Sequence, residues 1–261
     1  MILGIDHLVI ATPDPDAAAR QLEERVGLRC TGGGRHEGSG TRNRIAWLAD
    51  GSYLELIGVD DPDLARVTPV GRAALRTIES HGSGLATYAL RVDDVGATVT
   101  TLAAAGSTFG APHAGRRRRD DGELVEWRAA FPAADLGPAA PFLIEHVATG
   151  AEWGPAAMEE RARLAHPIGS PATLTRLDIA TADPPSAAAA LHDELGLDLW
   201  TVADLAVTDI GPHVLRFVPA REMPVPAVVT VGAQVDGPRT ADVLGLRFDV
   251  ERVEAPVRVE R

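Results

Sequence analysis

An order of secondary structure that recurs three times along the chain constrains its fold more than any other feature. The first copy begins with the apolar strand GIDHLVIA, passes through the turn TPDPD into a helix from Ala17 to Val26, and ends that helix at Gly27. Three short strands follow at residues 28–31, 44–48 and 53–57, with GGGRHEGSG and ADG as the turns between them. The sequence therefore predicts a βαβββ unit.

The same order returns twice further along the chain. The second copy starts at LATYALRVDDVGATVTTLAAAG and has strand segments at residues 106–111, 124–131 and 142–147. The third starts at LTRLDIATADPPSAAAALHDELGL, and its last strand is HVLRFVP. Alignment on the aspartate before each helix places His7, Thr87 and Arg176 at one repeat position. A single unit leaves one sheet face open, so we expect the units to bury these faces against one another.

These repeats define a predicted domain organisation. A paired βαβββ domain spans residues 1–149, with modules at residues 3–58 and 84–148. Residues 150–170 form a connector on the surface. Residues 171–261 form a third, degenerate module with extra C-terminal strands. The first two modules pair either within one chain or across a homodimer.

The composition excludes several classes of protein. The chain has 37 acidic and 25 basic residues, and its formal charge of -12 repels nucleic acids and anionic membranes. All the basic residues are arginine, so no lysine can form a Schiff base or a phosphate-binding loop. No apolar run matches a membrane span, and the start MILGIDHLV lacks the features of a signal peptide. With the lone Cys30, these features predict a cytoplasmic protein. The abundance of Ala, Arg, Gly and Pro indicates a GC-rich bacterial genome.

The strand IDHLVI and the later strand YLELI resemble the first and fourth strands of the vicinal oxygen chelate superfamily, and the glyoxalase-like branch most closely. The segment GGRHEGSGTRN and the arginines before DDGELVEW are similar to that branch as well. The resemblance covers residues 3–148 well and residues 171–219 more loosely. It implies an α+β fold in which tandem βαβββ modules form curved mixed sheets around a cup, with a divalent metal held by side chains of the first and fourth strands.

Carried over residue by residue, the resemblance implies His7 and Glu55 as metal ligands from the first module and Glu145 as a ligand from the second. Thr87 stands at the remaining ligand position, where the superfamily usually has histidine. One imidazole and two carboxylates suit Zn, Mn, Ni, Co or Fe and leave positions open for substrate. Adjacent strand residues face opposite sides, so we place Glu145, rather than His146, in the cup.

The resemblance also implies a set of substrate-binding residues, which are His36, Asn43, Thr87, Arg118 and Trp127. Each candidate has a structural alternative. His7 alone is more typical of a core histidine bonded to backbone, and His36 of a solvated loop residue. The arginine run at residues 116–119 is typical of a solvated hairpin tip, and Trp127 of a packing residue.

Two functions follow as expectations. The first is a metal-dependent isomerase or lyase that acts on a small oxygenated metabolite, with His36, Glu55 and Glu145 as candidate catalytic residues. The second is a metal-free protein of the same fold that binds or sequesters a small molecule. The third copy carries Arg176 and Arg216 at the ligand positions, and arginine does not bind metal. We expect that module to be structural, with dimer formation or an anion pocket as the alternatives.

Overall fold

Two mixed β-sheets and seven α-helices make up residues 1–253, the part of the chain that the computed structural model describes. The predicted α+β fold of tandem βαβββ modules is confirmed. Among these residues no helix combines the length and the apolar character needed to cross a lipid bilayer. The last eight residues of the predicted third module, 254–261, lie outside the described residues.

The first module consists of β1 (Ile2–Ala11), α1 (Pro15–Val26), β2 (Gly32–His36), β3 (Thr41–Trp47) and β4 (Tyr53–Val59). It leads through the helices α2 (Pro62–Arg66) and α3 (Pro69–His81) into the second module. The second module consists of β5 (Gly84–Val92), α4 (Val95–Ala104), β6 (His113–Arg119), β7 (Leu124–Ala130) and β8 (Phe142–His146).

A connector with the helices α5 (Gly150–Trp153) and α6 (Pro155–Ala162) precedes the second sheet. That sheet is built by β9 (Ala172–Thr181), β10 (Trp200–Val202), β11 (Leu205–Ile210), β12 (His213–Pro219), β13 (Ala227–Ala233), β14 (Arg239–Val243) and β15 (Leu246–Arg252). The helix α7 (Pro184–Leu195) connects β9 to β10.

The aspartate that aligns the three repeats begins a helix in each of them. Asp14, Asp94 and Asp183 have extended backbone, and each side chain accepts a backbone N–H from the first turn of α1, α4 or α7. Aspartate at this position satisfies a donor that the helix itself leaves unpaired. The repeated aspartate therefore caps the N-terminus of the helix in all three units.

The strands of the first two modules close into one eight-stranded barrel, in the order β1-β4-β3-β2-β6-β7-β8-β5. β1 pairs antiparallel with β5, and β2 pairs antiparallel with β6, so both module junctions lie within a single chain. Across the first junction His7 faces Ala89 and Val9 faces Thr87. If each residue is replaced by its counterpart in the other module, the pair of His7 with Ala89 becomes the pair of Thr87 with Val9. His7 and Thr87 are therefore equivalent positions, as the repeat alignment predicts.

The second strand of each module starts later than the sequence predicts. GGGRH, which we interpreted as a turn, is β2, and its glycines approach both neighbouring strands closely. Gly33 and Gly34 have φ of +145° and +153°, and a Cβ at these positions would lie 2.4 Å from the Asn43 carbonyl oxygen and 2.1 Å from the Arg118 carbonyl oxygen. Glycine here permits the strand contact that joins the two modules.

The second sheet repeats the order of seven of the eight barrel strands and stays open, in the order β10-β11-β12-β9-β13-β15-β14. β13 pairs antiparallel with β9, as β5 does with β1, and β15 pairs parallel with β13, as β8 does with β5. The predicted extra C-terminal strands are thus β13, β14 and β15. A continuous apolar core that includes Leu8, Tyr88, Phe217 and Phe248 contains residues of both sheets.

Candidate functional site

A cavity of about 690 Å³ lies inside the barrel. This volume is in the range of sites that bind a small organic molecule. Most of its wall is apolar and includes the aromatic residues Trp47, Tyr53, Trp127, Phe131, Phe142 and Trp153. Its polar lining includes His7, His36, Asn43, Glu55, Arg117 and His146. We call this space the barrel cavity.

Strand alternation determines which side chains reach the barrel cavity. On β4, Tyr53, Glu55 and Ile57 line it, whereas Leu54 and Leu56 point away into the apolar core. The same alternation brings Asn43 from β3 and Trp127 from β7 to the cavity. The predicted residues His7, His36, Asn43, Glu55 and Trp127 therefore share one site.

Glu55 is the centre of the polar group. Its Oε1 accepts a hydrogen bond of 2.6 Å from Asn43 Nδ2 and lies 3.4 Å from His36 Nε2. Its Oε2 lies 3.6 Å from His7 Nε2. His36 Nδ1 is 2.8 Å from Thr41 Oγ1, which orients that ring. The Glu55 side chain is only 7% exposed, so its charge lies almost out of contact with bulk water.

Asp6, which is not among the predicted site residues, lies behind His7. Its Oδ1 lies 2.7 Å from His7 Nδ1 and 2.9 Å from His146 Nε2, and its side chain is completely buried. Alternation would place adjacent residues 6 and 7 on opposite faces. The pairing of β1 with β5 shifts register between Ile5 and His7, and this irregularity brings both side chains into one network. The periodicity of the sequence carries no signal for it.

Burial controls the protonation of this network. Burial alone would raise the pKa of Asp6, but the charge of His146 and hydrogen bonds from His146 and His7 outweigh it and hold that pKa well below its usual range. Burial lowers the pKa of His36 to about 4, against the opposing charge of Glu55. Burial also lowers the pKa of His146. At neutral pH Asp6 is therefore a carboxylate, and His36 and His146 are uncharged.

The prediction that Glu145 faces the cup is wrong. β8 presents Phe142, Ile144 and His146 to the barrel cavity, and Glu145 points outward, where its Oε2 accepts a 3.0 Å hydrogen bond from the backbone N–H of Val95. The resemblance places Glu145 at the fourth-strand ligand position of the second module. A shift by an odd number of residues along a strand moves a side chain to the opposite face, which is the error made here.

The strand register identifies the true counterpart of Glu55. His7 pairs with Tyr53 on β4, and Ala89 pairs with Phe142 on β8. His7 is equivalent to Thr87, so Val9, two residues after His7, is equivalent to Ala89. Val9 pairs with Glu55 and Ala89 pairs with Phe142, so Phe142 is the position equivalent to Glu55 in the second module. The second module therefore has no carboxylate at its fourth-strand site.

Two predicted substrate-binding residues also lie elsewhere. Thr87 is completely buried, and its hydroxyl donates a 2.9 Å hydrogen bond to the carbonyl oxygen of Ala140. Arg118 is half exposed and pairs with Glu37 outside the cavity. Its neighbour Arg117 reaches the cavity instead, and its guanidinium pairs with Glu152, a buried carboxylate of α5. Neither Thr87 nor Arg118 therefore lines the barrel cavity.

The residues present do not fit the divalent metal that the resemblance implies. Glu145 is on the wrong face, and His7 and His36 approach different oxygens of Glu55. Within residues 1–253, no three His, Cys, Asp or Glu side chains are grouped so that they could hold a metal ion. The predicted ligand set is thus not assembled.

The connector covers part of the barrel cavity with stacked rings. Trp153 of α5 stacks on His146, with ring centroids 3.5 Å apart and an angle of 12° between the planes. The Arg161 guanidinium of α6 lies over the Trp47 ring, 3.2 Å from its centroid, and over Trp153. His7 stacks on Tyr53 at 4.4 Å. These contacts limit the rotation of both histidines.

The equivalent place in the second sheet holds an ion-pair cluster. Val9 lies two residues after His7, and Asp178 lies two residues after Arg176, the repeat counterpart of His7. Val9 pairs with Glu55 and Asp178 pairs with Arg216, so the strand pairing agrees with the predicted equivalence of Arg216 and Glu55. Arg216 Nε donates to Asp178 Oδ1 at 2.6 Å, and Arg176 Nε lies 3.2 Å from Asp178 Oδ2. The two arginines share one buried carboxylate.

Known proteins resemble this chain in sequence or in fold. A family model described as a glyoxalase-like domain matches residues 5–195. No curated protein has a significantly similar sequence. A hypothetical protein from Staphylococcus aureus has a similar fold, with a TM-score of 0.77 and 14% identity over 95% of this chain and 99% of its own.

Two further solved structures are similar to this chain. A triple mutant of 4-hydroxymandelate synthase from Streptomyces coelicolor has a TM-score of 0.55 and 15% identity over 90% of this chain and 72% of its own. Methylmalonyl-CoA epimerase from Mycobacterium tuberculosis has a TM-score of 0.42 and 19% identity over 56% of this chain and 89% of its own.

Proposed function

The chain belongs to the glyoxalase-like domain family, and on that premise we propose that it is an isomerase or lyase that transfers a proton on a small oxygenated molecule bound in the barrel cavity. Glu55 is the proposed general base. The reaction begins when Glu55 takes a proton from a carbon beside a carbonyl group. The proton then returns to a neighbouring atom in an isomerase, or a leaving group departs in a lyase.

The observation that supports this proposal is the convergence of two imidazole nitrogens and one amide on Glu55. Asn43 Nδ2 can only donate, so the uncharged His36 ring accepts through Nε2 at 3.3 Å and carries its hydrogen on Nδ1, which faces Thr41 Oγ1. Both Glu55 oxygens lie within 3.6 Å of an imidazole nitrogen, and the Asn43 amide donates to one of them, Oε1. A ligand with a hydroxyl group or an acidic C–H bond supplies the missing hydrogens.

Stabilisation of the developing oxyanion requires donors near the base. Tyr53 lines the same cavity, and burial, together with the charges of Asp6 and Glu55, raises its pKa well above the usual value. The phenol therefore keeps its proton and can donate it in a hydrogen bond.

The lining also favours one class of substrate. Its aromatic walls suit a flat, apolar body. Arg117, the arginine among the lining residues, is already neutralised by Glu152. A phosphorylated or polyanionic substrate would therefore lack a free counter-charge among the described lining residues, and an uncharged aromatic hydroxycarbonyl compound fits better.

Proton exchange provides the test. The protein is incubated with 2-hydroxyacetophenone in deuterated buffer, and loss of the signal of the carbon-bound protons is followed by NMR. We expect wild type to accelerate the exchange and Glu55→Gln to lose about 10²-fold or more of this rate. Glu145→Gln is the matched control, because this glutamate lies outside the cavity. An equal loss in both variants would contradict the assignment of the base.

A second candidate function is a metal-free binding protein, which the largely aromatic and apolar lining favours. Binding is measured separately by thermal shift with the same compound. If 2-hydroxyacetophenone stabilises wild type and Glu55→Gln equally and neither exchanges its protons, the binding function is supported and the enzymatic one is overturned.

A further inference from the structure

Asp6 has an arrangement that the proposed reaction does not yet use. It is completely buried, and one of its oxygens contacts two histidines from different modules, His7 and His146. Its other oxygen, Oδ2, is buried without a hydrogen-bond partner in the structure. A buried carboxylate with an unpartnered oxygen lowers stability. Packing alone does not account for this residue.

The contact determines where the protons of both rings lie. An ionised carboxylate can only accept hydrogen bonds, so His7 Nδ1 and His146 Nε2 must both carry hydrogen. For His7 this leaves Nε2 as the nitrogen that faces Glu55 Oε2 at 3.6 Å. If His7 carried its proton on Nε2 instead, the proton would point towards Glu55 and the lone pair towards the Asp6 carboxylate.

We propose that Asp6 is a positioning residue: by accepting a hydrogen bond from His7 Nδ1 it fixes a hydrogen on that nitrogen, so that Nε2 is the nitrogen that faces Glu55 and the space where substrate binds. The role in turnover rests on the proposed function of the barrel cavity. The tautomer itself does not, and it can be measured without any substrate. The stacking of His7 on Tyr53 keeps the ring in the plane that this role requires.

The decisive measurement is NMR of the full chain labelled with ¹⁵N-histidine, without ligand, at neutral pH. Couplings between ring nitrogens and carbon-bound protons identify which nitrogen carries hydrogen, and His7→Gln assigns the His7 signals among the eight histidines. We expect wild-type His7 to be the Nδ1–H tautomer. We expect Asp6→Asn to shift it towards Nε2–H, because an amide can donate as well as accept.

Asp50→Asn is the matched control. Asp50 also contacts a buried histidine, with its Oδ2 2.7 Å from His213 Nε2, but it lies outside the barrel cavity. This variant should leave the His7 signals unchanged. If proton exchange is found in wild type, Asp6→Asn should lower kcat by about tenfold or more with little change in KM.

The outcomes separate this proposal from the proposed function. An Nε2–H tautomer of His7 in wild type overturns the role of Asp6, and this spectrum is informative even if Asp6→Asn does not fold. An unchanged His7 tautomer in folded Asp6→Asn overturns it as well. The predicted tautomers without any proton exchange would leave the positioning of His7 established and reject the enzymatic function alone.

Discussion

Replacement of Arg117 by methionine tests how the connector is attached to the barrel. Arg117 and Glu152 pair with only 4% and 5% of their side chains exposed. Without Arg117, the nearest remaining cation to Glu152 is Arg119, whose Nε is 3.8 Å from Oε1. A buried carboxylate that loses its close partner costs about 3–5 kcal/mol. We expect Arg117→Met to lower the free energy of unfolding by that amount, measured by urea denaturation with tryptophan fluorescence.

Two further variants make this test specific. The double variant Arg117→Met with Glu152→Leu removes the stranded charge and should recover most of the loss, because an apolar pair of similar size often replaces a buried ion pair at little cost. Arg163→Met breaks an exposed pair with Glu159 and should cost no more than about 0.5 kcal/mol. Equal losses in Arg117→Met and Arg163→Met, or no recovery in the double variant, would refute the reasoning.

Three other outcomes are expected. The pKa of His36 falls from an ordinary 6.5 to about 4 in the folded protein, so between these pH values the unfolded chain binds a proton that the folded protein does not. The free energy of unfolding should therefore be unaffected by His36 above pH 6.5 and should fall by up to about 3 kcal/mol towards pH 4. Urea titrations of His36→Gln should show a flatter pH dependence, and those of the exposed His192→Gln should match wild type. Loading with Zn, Mn, Ni, Co or Fe should leave the melting temperature unchanged, and about one equivalent of retained metal by mass spectrometry would contradict this. A Cβ in Gly115→Ala would lie 2.3 Å from Nε1 of Trp127, which lines the barrel cavity, so binding of 2-hydroxyacetophenone measured by thermal shift should weaken. Gly137 has open space around it, so Gly137→Ala should bind the compound as wild type does.

Part of the site followed from the chain alone. His7, His36, Asn43 and Glu55 meet in the barrel cavity as the sequence predicted. They belong to one module, so short strand pairings are enough to bring them together. Trp127 is the one predicted residue of the second module that lines the cavity.

The errors have a common physical origin. Glu145 and Arg118 each have a neighbour that faces the cavity, His146 and Arg117. Alternation along a strand says that adjacent residues face opposite sides, but it does not say which of them faces inward. That choice depends on the register with neighbouring strands and on the apolar surface that the sheet must bury.

The sequence by itself determined the repeated βαβββ units, because helix caps, turns and apolar periodicity are local properties of the chain. Only the tertiary structure decided the composition of the site. The irregularity in β1 that brings Asp6 behind His7 exists because β1 must pair with β5, 80 positions away in the repeat alignment. Long-range pairing sets register, and register decides which side chains share the cavity.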